Sequence, residues 1–192
     1  MQFSSSLLIA IVALMSSATA SPIKARQAAL EDWQVTTVGV NVPSGRPGNY
    51  PWATITAVIT DPNQYNLGNS SYNGTPVIVP SGSQGFDCKA EWFIDSPVGR
   101  AWPCKSSSYA TGYWYMHVLE GDDGQFSPSN FKLQFTHMLN LVVYGQQFRA
   151  TIRGQTLFKV GVNMGGTCGG SGVCGWGLKA ESKPQLITPT MV

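Results

Sequence analysis

The chain has 192 residues, of which 43% are hydrophobic and only 11% charged, with a formal net charge of +2. That length suits one domain with a core of its own. The small positive balance owes much to Lys24 and Arg26: without them ten basic residues face ten acidic ones, so charge gives no case for nucleic acid or an anionic membrane as partner.

Leu7 to Met15 is an apolar run closed by Ser16-Ser17, and Ala18-Thr19-Ala20 has the small-x-small form of a cleavage site, so residues 1–20 are expected to be a signal peptide. No other stretch has the roughly 18 apolar residues of a membrane span. Residues 21–26 (SPIKAR) suit a short pro-segment that a protease cutting after Arg26 would remove. Residues 27–182 then form a single β-domain, and residues 183–192, with Pro184 and Pro189, a flexible tail.

Along the domain no convincing helix is found, while strand patterns recur between turn clusters. Trp33 to Val42 alternates, with a phase shift at Thr36-Thr37 that implies a bulge. Trp52 to Thr60 alternates β-branched residues, and Val77 to Val79 is a short strand. Between them, Asp61 to Thr75 is a polar loop carrying the glycosylation sequons at Asn69 and Asn73. Around the first cysteine, Phe86, Cys88 and Ala90 share one side of a strand, and Asp87, Lys89 and Glu91 the other. Asp95, Pro97 and Gly99 mark a reversal that would return the chain as a hairpin to Cys104. Tyr109 to Leu119 is bulky on both faces, as in a central strand.

Two later segments give the clearest half-buried alternation. Phe131, Leu133 and Phe135 point in against Lys132, Gln134 and Thr136; Phe148, Ala150 and Ile152 point in against Arg149, Thr151 and Arg153. Thr156 to Val162 is a separate strand, Met164 to Gly172 a glycine-rich loop, and Val173 to Leu178 a last strand. The expected fold is all-β: a compact antiparallel β-barrel or β-sandwich. Four cysteines permit three pairings; the two local ones, Cys88–Cys104 and Cys168–Cys174, are expected in an oxidising destination.

No catalytic phrase is present. His117 and His137 are the only histidines and belong to no G-x-S-x-G or H-E-x-x-H motif, so neither a hydrolase triad nor a metal site is read from them. Each is expected to hydrogen-bond locally at a strand end or to face solvent. Asp122 and Asp123 with Glu91 or Glu120 could supply a glycosidase pair, but the Glu120–Gly124 run is a turn. The glycine-rich stretches lack the Gly-Lys-Ser/Thr ending of a phosphate loop, and no cofactor is implied. Trp52, Trp92, Trp102, Tyr113, Trp114 and Tyr115 could stack on a sugar or phenolic ligand where exposed. Arg149 and Arg153, with Thr151 between them, lie roughly 13 Å apart on one strand face and form the candidate binding site for a carboxylate-bearing partner.

The pattern Phe86-Asp87-Cys88-Lys89-Ala90 followed by Ala101-Trp102-Pro103-Cys104, then Leu133-Gln134-Phe135-Thr136-His137, then Gly145 to Gly154 and a closing Cys168–Cys174 loop, resembles the Alternaria major-allergen-like family of small secreted fungal proteins. The resemblance implies a secreted, non-enzymatic β-barrel-like protein acting as an effector, elicitor or allergen toward a host protein or a small phenolic or sugar ligand. Three features depart from that family. The final cysteine loop is short, the interval from Cys104 to Cys168 is long, and no cysteine precedes Cys88. A disulfide-linked dimer is therefore not implied. An extracellular carbohydrate-binding module is the alternative, and would need a row of exposed aromatic rings; a secreted hydrolase, the third, would need histidines and carboxylates converging in a cleft.

Overall fold

The structure, a computed structural model, describes residues 29–192. The expected signal peptide and the 21–26 segment lie outside the described residues. The strands are β1 (Trp33–Val42), β2 (Ala53–Asp61), β3 (Tyr65–Asn69), β4 (Pro76–Val79), β5 (Ser83–Trp92), β6 (Ala101–Pro103) and β7 (Lys105–Ser106). They continue with β8 (Tyr113–Glu120), β9 (Asn130–Val143), β10 (Gln146–Lys159), β11 (Met164–Cys168), β12 (Cys174–Leu178), β13 (Gln185–Ile187) and β14 (Thr190–Met191). Two short 3-10 turns are the only helical elements among the described residues.

A seven-stranded sheet runs β11-β12-β1-β2-β5-β7, with β13 also paired to β1; a five-stranded sheet runs β14-β10-β9-β8-β6; β3 and β4 form a separate hairpin. Every pair of named strands is antiparallel. The two larger sheets do not close into one barrel. They face each other as a sandwich across a single core, to which one contributes Val35, Ile55 and Ile59 and the other Trp114, Leu133 and Phe135.

The alternation read from the sequence places these side chains. Trp114, Met116 and Val118 are buried while Tyr113, Tyr115 and His117 face out. Phe131, Leu133 and Phe135 are buried, and the bulge in β1 falls between Val35 and Thr37.

Several expectations change. Phe86 does not share a face with Cys88: the β2–β5 register shifts between Ala57 and Ile59, Asp87 takes φ 51°, and Phe86 is turned outward. The expected strand over Thr156–Val162 is the end of β10, which runs unbroken through Gly154. Gly154 does not interrupt the strand; a Cβ there would lie 2.6 Å from Ile187 Cγ2, so the glycine makes room for the end of the chain. That end, expected as a flexible tail, supplies β13 and β14, and Ile187 is buried against the core. Part of the expected glycine-rich loop is strand β11. Tyr65–Asn69 within the expected polar loop is strand β3. Between β9 and β10, Tyr144 and Gly145 both have positive φ, the backbone of a two-residue hairpin turn.

Both disulfides join the expected cysteines. Cys168 and Cys174 face each other across the β11–β12 hairpin. Cys88–Cys104 does not staple a hairpin. Cys88 belongs to β5 in the larger sheet, whereas Cys104 sits between β6 of the smaller sheet and β7 of the larger one, its amide donating to the Trp114 carbonyl at 2.9 Å. The bond therefore ties the sheets together where the chain crosses between them.

Removing this bridge should cost more than removing the other, because it spans sixteen residues against six and the loop-entropy contributions are about 3 and roughly 2 kcal/mol. Urea midpoints of Cys88→Ala/Cys104→Ala and Cys168→Ala/Cys174→Ala proteins check the order; the larger fall is expected for the first pair.

Candidate functional site

Ser83, His137 and Asp61 meet at the centre of the sandwich, in the order that a serine hydrolase triad would require. His137 Nδ1 lies 2.9 Å from Asp61 Oδ2, and His137 Nε2 lies 3.2 Å from Ser83 Oγ. Sequence reasoning did not find this group, because Asp61 and His137 are 76 residues apart and no motif joins them. The histidine does not close a strand locally, as expected, but reaches across the core.

The hydrogen-bond directions decide what the group can do. His137 Nε2 is 2.6 Å from the Thr111 carbonyl, which only accepts. Nε2 is therefore set closer to a carbonyl oxygen, where it can only donate, than to the Ser83 hydroxyl. The Ser83 hydroxyl donates to the same carbonyl at 3.2 Å and accepts the Trp114 indole N–H at 3.0 Å. All three side chains are buried, with exposures of 0% for Asp61 and His137 and 1% for Ser83. The arrangement orients and satisfies buried polar groups and presents no open face to solvent.

Burial opposes ionisation of Asp61, but donors outweigh it: His137, the Asn63 backbone and side-chain N–H groups, and the Tyr65 hydroxyl hold the carboxyl below its usual range. Burial and the adjacent Asp61 charge push the Tyr65 phenol up. The His137 ring stacks on Trp114 with centroids 4.2 Å apart, and Trp33 meets Trp114 edge-on at 4.9 Å.

The candidate binding residues lie on the outer face of the smaller sheet. Arg149 and Arg153 are exposed and Thr151 half-buried between them. Register places Arg153 opposite Thr136, and Thr136 opposite Tyr115; Thr151 is opposite Met138, and Met138 opposite Tyr113. Arg153 borders a shallow depression of ≈ 370 Å³ lined also by Gln134, Gln155, Thr188 and Thr190. His117 shares this face, its ring held below the usual imidazole value by desolvation and then by the Arg153 charge. The two histidines thus point to opposite sides of one sheet.

Among the described residues, ten lysines and arginines are present and five form ion pairs, through Lys89, Arg100, Lys105, Lys159 and Lys179. Three of the other five, Lys132, Arg149 and Arg153, project from this face, and no carboxylate projects from its strands.

The carboxylates weighed as an acid pair are dispersed. Glu91 accepts from Tyr50 and Lys89, while Asp122 accepts from Lys159 and Asn130. No group of three or more His, Cys, Asp or Glu among the described residues is placed to hold a metal ion. Of the six aromatics singled out, Trp92 and Trp114 are buried, Trp102 and Tyr115 half-buried, and Trp52 and Tyr113 exposed. Asn69 and Asn73 are exposed on the β3–β4 hairpin, and the Asn73 amide oxygen accepts the Thr75 hydroxyl at 2.6 Å. No helix among the described residues is long and apolar enough to cross a membrane.

No protein-family model matches the chain, and no curated protein matches it.

Asp61→Ala should destabilise the protein by about 3–5 kcal/mol, the range for breaking a buried charge pair, because His137 and Tyr65 lose a partner in a dry site. The pH dependence follows from the lowered Asp61 carboxyl. The unfolded carboxyl takes up a proton more readily, so this group's contribution is intact above about pH 4 and is lost as pH falls through the folded value. Acid titration of unfolding free energy should show Asp61→Asn reducing proton uptake on unfolding by about one proton. An unchanged slope would remove Asp61 as the acid-sensitive group.

Proposed function

We propose that this chain is a secreted, non-enzymatic binding protein that engages a carboxylate-bearing partner outside the cell through the outer face of the five-stranded sheet. The observation that carries this reading is the concentration of Lys132, Arg149 and Arg153, without an ion pair among the described residues, on a face whose strands project no carboxylate. Each arginine offers a planar fork of donors matched to a carboxylate. The Thr188 hydroxyl and the Gln155 amide beside Arg153 add neutral donors at the same depression, while Thr190 donates its hydroxyl to the Arg153 carbonyl and Gln134 its amide to Gln155. Tyr113 and Tyr115 supply apolar ring area two strands away.

The resemblance to small secreted fungal proteins suggests the setting, that of an effector or elicitor meeting a host molecule. Two local disulfides suit an extracellular destination. The network at Ser83, His137 and Asp61 supports the non-enzymatic part of the reading, since its donors and acceptors are consumed within the core.

Binding of an oligoglutamate peptide, with oligoglutamine as the neutral control, tests the face. Oligoglutamate should bind with an affinity that falls as salt rises. Arg149→Ala/Arg153→Ala should weaken it about tenfold or more, and Arg149→Lys/Arg153→Lys by less, because charge is kept and the fork is lost. Equal affinities for all three proteins at low ionic strength rule this face out.

A further inference from the structure

The opposite side of the molecule carries a second site of different chemistry. On the outer face of the larger sheet the central strands present small residues. Gly175, Asn41 and Thr54 form one cross-strand row, and Gly177, Gly39 and Thr56 the next. With glycine at three of these six positions the face is depressed where side chains would normally stand, leaving a trough of ≈ 370 Å³ over β12, β1 and β2.

The trough does not end at the sheet. Asn41 and Val173 also line a second depression of ≈ 420 Å³, walled by Tyr50 and Trp52. Tyr50 and Asn49 in turn belong to a third of ≈ 260 Å³ that reaches Phe93. The three adjoin in a row, forming an open groove from the middle of the sheet to one end of the sandwich.

Its lining is selective. Tyr50, Trp52 and Phe93 are 63%, 42% and 44% exposed, and the Trp52 and Phe93 rings lie 5.7 Å apart. Exposed rings that adjoin, rather than scatter singly, mark a binding surface, and these three line one groove. Asn41 and Thr54, directly opposite each other on β1 and β2, have no side-chain hydrogen bond among the described residues, so an amide and a hydroxyl stand ready at the floor. Among the described residues no carboxylate lines any of the three depressions, and the only charged lining residue is Arg46 at the far end. Glu91, opposite Thr54 across the β2–β5 pair, is held by the Tyr50 hydroxyl at 2.6 Å and by Lys89 at 2.8 Å. The first of these bonds also fixes the Tyr50 ring at the groove wall.

A ligand for this groove must be neutral, must offer an apolar face to aromatic rings, and must offer hydroxyl groups to an amide and a hydroxyl. It must also be extended, since a shallow groove cannot enclose a small molecule over most of its surface. We propose that the groove binds a neutral oligosaccharide chain, with the C–H face of one sugar on Trp52 and the hydroxyls of the next over Asn41 and Thr54. This site shares no residue with the arginine face, and the two readings stand or fall separately.

The test is calorimetric titration of the protein, with tryptophan fluorescence as a second readout, against uncharged hexasaccharides of glucose in β-1,3 and β-1,4 linkage, of mannose and of N-acetylglucosamine. A planar phenolic such as catechin forms the comparison arm. At least one hexasaccharide should bind. Trp52→Ala should weaken it by tenfold or more, and Thr54→Val by severalfold, with urea midpoints close to wild type because both side chains stand on the outer face. Arg149→Ala/Arg153→Ala should leave sugar binding unchanged. The proposal is overturned if no hexasaccharide binds at millimolar concentration, if binding survives Trp52→Ala intact, or if catechin alone binds in a Trp52-dependent way.

Discussion

An ionised carboxylate inside an apolar core must be met by donors, and Asp61 is met by four: His137 Nδ1, the Tyr65 hydroxyl, and the backbone and side-chain N–H groups of Asn63. Asp61 ends β2 of the larger sheet, His137 belongs to β9 of the smaller one and Tyr65 to the β3–β4 hairpin, so one carboxylate fixes three parts of the chain relative to one another. The sandwich could hold its apolar layers at several offsets with similar burial, since hydrophobic contact is non-directional. A charge with four directed bonds allows only one. Breaking any of them strands a polar group where water cannot replace it. Such a group contributes little net stability compared with a well-packed apolar replacement. What it contributes here is register, as a buried polar residue does in other cores.

The close approach required by this centre explains residues that would otherwise seem unconstrained. A Cβ on Gly85 would come within 2.8 Å of the Trp114 ring, and one on Gly112 within 2.6 Å of the Met138 carbonyl. Gly112 also has φ 93°, which side-chain-bearing residues rarely adopt. Trp114 can therefore stack on His137 and donate to Ser83 only because Gly85 leaves the space in front of it. The Cys88–Cys104 bridge acts on the same region from outside, holding β5 beside the crossover strand that pairs with β8. Covalent and polar constraints thus converge on the contact between β5 and β8, where the two sheets are joined most directly.

Much of the sheet was legible in the sequence because a strand's two-residue period is a local property. Trp114, Met116 and Val118, or Phe131, Leu133 and Phe135, declare their side by alternation alone. The cysteine pairs were legible because short loops limit the options. What local pattern could not supply was the partner of a strand. The bulge at Phe86-Asp87, the passage of residues 101–103 into the other sheet, and the docking of Ile187 against Gly154 all depend on contacts distant in sequence. The centre of the molecule was hidden for the same reason. Asp61 read as the first residue of a polar loop, and its burial becomes intelligible only once His137 is opposite. The arginine face was readable in outline, since Arg149, Thr151 and Arg153 alternate within one strand; that neighbouring strands add Lys132 and no acid was not. The groove was least legible, being assembled from glycines and aromatics of three separate stretches: residues 39–56, Phe93 and residues 171–177.

The two outer faces differ in how each would find a partner. Over residues 29–192 basic and acidic side chains balance, so the molecule has little long-range field with which to steer an anion. Attraction at the arginine face acts within about 10 Å at moderate ionic strength, and recognition there depends on fit between guanidinium forks and carboxylates. The groove, with Arg46 alone at its far end, gains from ring contact and paired hydroxyls, which salt screens little. The small-residue floor that opens the groove also removes side chains from β1 and β12, so that this sheet leans on the Cys168–Cys174 bridge and on β13 for support at its edge. The Cys168–Cys174 staple is thereby linked to the face beside it: with four glycines among the ten residues of β11 and β12, the hairpin has few side chains to pack, and a covalent bond adds to the ladder that holds its strands together.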